Sequence, residues 1–131
     1  GVPPRRWDSL VRNSKPVDAE GLAYAPGSDG STLLISSEPG LESILDIAEF
    51  SRDGRYLRSP FAIPDTVQRQ VMRNAGFEAL ALVGGAAHYI AANEYRLMRD
   101  SDTVRRLLVY SAGAAGMPEL ERHAVYETSR H

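Results

Sequence analysis

Apolar positions along the chain fall in short runs, most of them alternating with polar ones, which is the pattern of half-buried strands rather than of helices. DAEGLAY (18–24), TLLIS (32–36), ILDIAEF (44–50) and YLRSPFAI (56–63) are four such runs. They are punctuated by PGSDG, SEPG and RDG, where Gly accepts the positive φ that tight turns need. The spacing predicts four antiparallel strands joined by hairpins. After Pro64 the period changes. DTVQRQVMRN (65–74) places Val67 and Val71 at helical spacing behind Asp65 as an N-cap, and so predicts a short helix. Strand patterns resume at 77–83, 88–93, 104–111 and 121–127, broken by Gly84-Gly85, by RDSD (99–102) and by SAGAAGMP (111–118).

The second set of strands repeats the first. Glu20 and Glu78 lie 58 positions apart, Glu38 and Glu94 lie 56 apart, and Phe50 and Tyr110 lie 60 apart. Even the approaches match, with SLVRN (9–13) echoed by QVMRN (70–74). A four-stranded unit recurring at about 60 residues is the pattern of a β-propeller blade. The reading is therefore an all-β propeller segment within one domain, 1–131, with blade units at 14–64 and 74–128 and the helix, 65–74, between them. A two-layer sandwich of eight strands is the alternative; it accounts for the strands but not for the period. Two blades leave unpaired sheet edges, so the expected partners are further blades of a longer chain, about six in all, or copies of the chain itself. The opening GVPPRR, without Met, favours the longer parent.

Composition narrows this little. The 131 residues are 43% hydrophobic and 24% charged with a net charge of −2, enough apolar material for a core. No basic excess points to nucleic acid. The longest uncharged apolar stretch, Ala79 to Ala87, is too short to span a bilayer as a helix. The chain has no Cys, which excludes disulfides, a thiol nucleophile and thiolate metal ligation.

The chemistry with most to say is acidic. Glu20 and Glu78 open the first strand of each unit among small residues, and Glu38 and Glu94 close the second strand, near the start of the first across a regular hairpin. Carboxylates gathered at one end of a blade suit either a hard cation of the Ca²⁺ type or acid–base chemistry. They suit equally a structural clamp, with Arg12 and Arg73 gripping them bidentately. Asn13 and Asn74 read as caps, or as carbonyl ligands. His88, His123 and His131 lack metal-ligand spacing, Ser28 in GSDG is not in a nucleophile elbow, and GAAG (113–116) lacks the Lys of a phosphate loop. Trp7, Tyr24, Phe50, Tyr89 and Tyr110 read as packing between blades, and RLMRDSDTVRR (96–106) as a solvated turn.

Glu20-Gly21-Leu22, Ser37-Glu38, Phe50, Gly54, Pro64 and Arg73-Asn74-Ala75-Gly76-Phe77-Glu78 together resemble the phytase-like family, also described as esterase-like activity of phytase. Ala79 stands where that family usually has Gly. The resemblance covers about residues 17–127. It implies a six-bladed-propeller-like domain, commonly exported to the periplasm or beyond, acting on a small-molecule ester or phosphoester. On that reading Glu20, Glu38, Glu78 and Glu94 hold Ca²⁺, Glu20 or Glu78 serves as base, and Arg73 steadies an oxyanion. A non-catalytic binding or scaffold module with structural glutamates is the alternative.

Overall fold

The computed structural model describes residues 19–26, 30–40, 44–73, 75–85, 88–113 and 117–129. Arg12, Asn13, Trp7, Ser28, Asn74 and His131 lie outside the described residues. Eight strands form two antiparallel sheets. The first holds β1 (Ala19–Ala25), β2 (Thr32–Ser37), β3 (Asp46–Phe50) and β4 (Tyr56–Arg58); the second holds β5 (Phe77–Val83), β6 (His88–Asn93), β7 (Val104–Ser111) and β8 (Glu119–Glu127). Each sheet runs in plain sequence order, β1-β2-β3-β4 and β5-β6-β7-β8. That uncrossed meander is the order of a propeller blade, whereas sandwiches favour Greek-key connections. The architecture is all-β and consistent with two consecutive blades.

The hairpins follow from local chemistry. Gly84 and Gly85 both sit at φ 64°, a backbone that glycine adopts without strain, at the start of the four-residue connection between Val83 and His88. β4 is shorter than its apolar run, ending at Arg58 rather than Ile63. Pro60 cannot donate to a ladder, and the chain leaves the sheet there. Instead the 59–64 segment carries Phe61 into the core at 5% exposure.

The helix α1 (Asp65–Gln70) also stops early, four residues short of the expected end. Val71 is extended, at φ −66° and ψ 132°, and turns inward against the core. Asp65 is not the cap: Pro64 holds that position without a side-chain bond, and Asp65 is the first helical residue, paired with Arg69 one turn on at 3.2 Å. Val67, 1% exposed, is the residue by which α1 packs. Gln68 Nε2 donates to Leu45 O at 3.0 Å and Met98 N–H to Gln70 O at 2.9 Å, so the helix bonds to the entrance of β3 and to the turn after β6.

The sheets stack face to face, with β1 and β2 against β5. Strand alternation and register put Gly21, Ala23, Leu34, Ser36 and Ile47 on the contacting face of the first sheet. Leu80, Tyr89, Ala91, Leu108 and Tyr110 lie on the contacting face of the second. Phe61 meets Tyr89 and Tyr110 edge-on, at centroid distances of 5.4 and 5.0 Å. Burying one such ring contributes about 1.5–3 kcal/mol, and each edge-to-face pair about 0.5–1.5 more. Tyr110 Oη donates to Ala62 O at 2.8 Å, and burial pushes its phenol far above the usual range. Tyr24, by contrast, is 52% exposed and packs between no sheets here, because it lies on the opposite face of β1.

Candidate functional site

Both glutamates that open the inner strands sit at the same backbone irregularity. In β1 and β2, Ala19 faces Ser37 and Gly21 faces Ser36, leaving Glu20 as an extra residue. In β5 and β6, Phe77 faces Asn93 and Ala79 faces Ala92, leaving Glu78 extra. A β-bulge of this kind leaves one residue out of the ladder and re-aims its side chain. Glu38 and Glu94 directly follow β2 and β6, so each stands beside the bulge of its own sheet.

Glu20, Glu38 and Glu78 converge. One carboxylate oxygen from each lies within 4.8 Å of the others, with Glu38 buried and the other two exposed. Glu94, exposed, is outside this trio but stands close enough to Glu78 to act on its carboxyl group. The Glu78 carboxyl is held above its ordinary range: by partial desolvation first, although the residue is exposed overall, then by the charge of Glu94.

Two contacts across the sheets and one within the second fix the arrangement. Ser36 Oγ donates to Phe77 O at 2.9 Å, a buried bond from β2 to the residue before Glu78. Gly76 N–H donates to Glu38 Oε2 at 3.4 Å, and Glu94 N–H donates to Gly76 O at 3.1 Å. Gly76 is required for this approach: a Cβ there would lie 2.5 Å from Glu38 Cβ and 2.7 Å from its Cα. At Gly21 a Cβ would lie 2.5 Å from Ser36 Oγ and 3.1 Å from Leu80. The second sheet has Ala79 opposite Ala92 at this position, so one side-chain atom has moved from the outer strand of the pair to the inner.

Arg73 is exposed and, among the described residues, makes no ion pair with any of the four glutamates. Among the described residues Arg73 therefore does not form the expected clamp; Arg12 lies outside them. Residues to which the sequence reading gave no role at the site matter more. Besides Gly76 and Ser36, Asn93 is buried, and its Oδ1 accepts Arg106 N–H at 2.6 Å while its amide donates to Tyr95 O. Asp46 is buried at the start of β3, with Oδ1 accepting Ile47 N–H at 2.9 Å and Oδ2 accepting Ser59 Oγ–H at 2.6 Å. Small polar residues at strand ends, as in TLLISSE and HYIAANE, were the available signal.

The 96–106 segment is no simple solvated turn. Arg106 holds Asp100 bidentately at 2.7 and 2.5 Å, with the aspartate side chain 10% exposed, and Leu97 is 2% exposed. The pair lowers the Asp100 carboxyl and raises the Arg106 guanidinium. Burial, then the Arg106 charge, lowers the nearby His123 imidazole, while Asp100 opposes them. His88 Nε2 faces Glu121 at 3.2 Å. Among the described residues no histidine joins a trio of prospective metal ligands.

No match is found among curated proteins or among solved structures. The sequence model of the family described as "Phytase-like: Esterase-like activity of phytase" matches residues 5–131. With that match over nearly the whole length, and two repeated four-stranded units in the structure, the chain belongs to the phytase-like family.

Proposed function

We propose that the chain forms part of an esterase-like propeller protein in which Glu20, Glu38 and Glu78 hold a hard divalent cation of the Ca²⁺ type beside an ester or phosphoester. The observation carrying this reading is the trio of carboxylate oxygens within 4.8 Å of one another, drawn from two sheets. Calcium takes oxygen ligands at about 2.3–2.6 Å, so ligands on opposite sides of the ion stand about 4.6–5.2 Å apart. The trio fits inside that span. Three carboxylates so close are eased by a cation or a proton between them.

When bound, such an ion polarises a phosphoryl or carbonyl oxygen and lowers the pKa of its water. The chain's own residues supply the remainder. Glu38, fixed by Gly76 N–H, is the preorganised ligand, while Glu20 and Glu78 close from the bulges. Glu94, beside Glu78 and outside the trio, is the carboxylate placed for general acid–base work. Arg73 offers an exposed cation on the turn leading into β5, where it would meet an anionic substrate.

Calorimetric titration with CaCl₂, run on the wild type and on Glu20→Gln, Glu38→Gln and Glu78→Gln, tests the site. Saturable binding weakened by each change is expected, with turnover of p-nitrophenyl phosphate or p-nitrophenyl acetate falling in parallel. No binding heat, or binding indifferent to the three changes, would overturn it. A structural role is favoured by one observation, the Gly76 bond to Glu38, and predicts that Glu38→Gln lowers the melting temperature with calcium absent.

A further inference from the structure

We propose that His123 and the Asp100–Arg106 pair form a proton-operated latch on the turn between β6 and β7. With His123 neutral the pair holds the turn against the second sheet; with His123 protonated, Asp100 is shared between two cations and the turn is released. The turn begins directly after Glu94, but the latch needs no cation at the acidic cluster and stands apart from that reading.

The turn, residues 95–103, is knit from within. Arg96 Nη1 donates to Met98 O and Asp100 O, both at 3.0 Å, its Nε lies 2.7 Å from Asp102, and Asp100 N–H donates to Leu97 O at 2.9 Å. Its outward ties include the bond from Met98 N–H to Gln70 O at the end of α1 and the burial of Leu97 in the core. They also include the pair itself, in which Asp100 accepts Arg106 Nε and Nη2 at 2.7 and 2.5 Å from β7. That last tie is an ion pair, and so the one that a proton can change.

His123 stands where it can act on the pair. In the ladder it lies opposite Leu108, and alternation puts Arg106 on the same face of the sheet, the face on which Leu108 is buried. Its Nε2 is fully buried and, among the described residues, has no hydrogen-bond partner. Such a nitrogen is costly, and costlier still when it carries a charge that no acceptor meets. Two charged groups act on the imidazole, Arg106 from β7 and Asp100 from the turn; among the described residues none from the first sheet does so. Tyr110, on the same side of β7, keeps its proton because burial raises its phenol. On β8 itself Glu121 faces His88 at 3.2 Å, and Arg122 and Glu127 are exposed.

Charge counting decides the outcome. Neutral His123 leaves Asp100 and Arg106 balanced, with both carboxylate oxygens taken by the guanidinium. A proton on His123 sets two cations against one carboxylate, the only one that acts on the imidazole among the described residues. Asp100 must then be shared, and its bidentate grip on Arg106 is lost. Burial first, and then Arg106, already lower the imidazole below its ordinary range, so the folded chain resists this proton. The sign follows: stability present above the ordinary imidazole range, about 6.5, is lost as pH falls through the folded value.

Hydrogen exchange read by mass spectrometry at pH 7.5 and pH 5.0, corrected for the intrinsic effect of pH, tests the latch. In the wild type, peptides covering 95–103 should be protected at pH 7.5 and exchange about tenfold faster at pH 5.0, while β5 and β6 keep their protection. His123→Gln, which cannot take the proton, should keep the turn protected at both pH values, and Asp100→Asn should leave it open at both. His88→Gln should behave as the wild type. Should His123→Gln fail to fold, a nuclear magnetic resonance titration of the wild type decides: the turn amides should shift with the midpoint of the His123 imidazole. Equal protection at the two pH values in the wild type, a release that persists in His123→Gln, loss that spreads to β5 and β6, or turn amides with a different midpoint would each overturn the proposal.

Discussion

Gly76→Ala should destabilise the protein through a single steric conflict, and the size of the effect can be worked out. Gly76 does not have a positive φ, so alanine is permitted by the backbone. The cost lies in space. The new Cβ would stand 2.5 Å from Glu38 Cβ and 2.7 Å from Glu38 Cα, against about 3.5–4.0 Å for carbon atoms at rest. Neither atom is the tip of a flexible side chain, so the segment before β5 must move away from the end of β2. Overpacking of this kind costs about 1–3 kcal/mol, and contact with backbone belongs in the upper part of that range, about 2–3. Alanine also narrows the unfolded ensemble, which returns about 0.4–1 kcal/mol. The net loss is about 1–2.5 kcal/mol. At this chain length 1 kcal/mol corresponds to about 3–5 °C, so the melting temperature should fall by about 3–12 °C.

Differential scanning calorimetry in chelator, at neutral pH, is the assay. Gly21→Ala combined with Ser36→Ala is the control, because it reproduces the Ala79–Ala92 rung of the second sheet and meets only Leu80, at 3.1 Å. It should melt close to the Ser36→Ala single variant, which alone loses the bond to Phe77 O. A Gly76→Ala protein melting within about 1 °C of wild type would refute the steric reasoning, and with it the view that this glycine sets the position of Glu38.

Tyr110→Phe removes a 2.8 Å bond and leaves Ala62 O without it, so urea unfolding should lose about 1–2 kcal/mol at an unchanged m-value. Asp100→Asn breaks a bidentate pair that is only partly screened, for about 1–3 kcal/mol. Because the Asp100 carboxyl is depressed in the folded state, that difference should hold above the unfolded carboxyl range and shrink as pH falls through the folded value. Glu78 has the opposite sign: its raised carboxyl contributes stability that is present below the unfolded range and lost as pH rises through the folded value. Glu78→Gln should therefore melt higher than wild type near pH 7.5 in chelator and lose the advantage near pH 4, and a lower melt at pH 7.5 would contradict this.

The strands were legible because each is a half-buried run, and alternation survives whatever the tertiary context. All eight occur near their expected places, and the two misjudged ends have local causes. Pro60 stops β4, and the pull of the core on Val71 ends the helix before its polar tail. Tyr24, 52% exposed, marks what the pattern leaves open: alternation says that a residue faces one side of a sheet, not what covers that side. The Arg106–Asp100 pair was hidden because a string of mixed charges looks solvated until the fold puts one member under a strand. Gly76 carried no local sign of its role, since its partner, Glu38, is remote in sequence and its φ is ordinary.

The site depended on a different kind of legibility. No single glutamate here is distinctive, and each alone would read as a surface carboxylate. The repeat singled them out, yet it could not show that they meet. The spacing between units is 58 at the bulged glutamates, 56 at those after the second strand and 60 in the third strand, and these offsets record where the loops differ. The bulges do not differ: both sheets slip by one residue at the same glutamate. A slip in an antiparallel pair costs ladder hydrogen bonds, so its presence in both units is not a by-product of hairpin length. At each slip a carboxylate leaves the alternation that governs the rest of the strand, and Ser36 and Gly76 then lock the neighbouring backbone across the sheets. Deleting Glu20 or Glu78 should accordingly restore a continuous ladder while dispersing the trio. Comparing each deletion with its Gln substitution separates the two effects: deletion should retain or raise the melting temperature yet abolish calcium binding, whereas Gln keeps the bulge and weakens binding less. A deletion that bound calcium like the wild type would show that the bulge does not position the carboxylate at all.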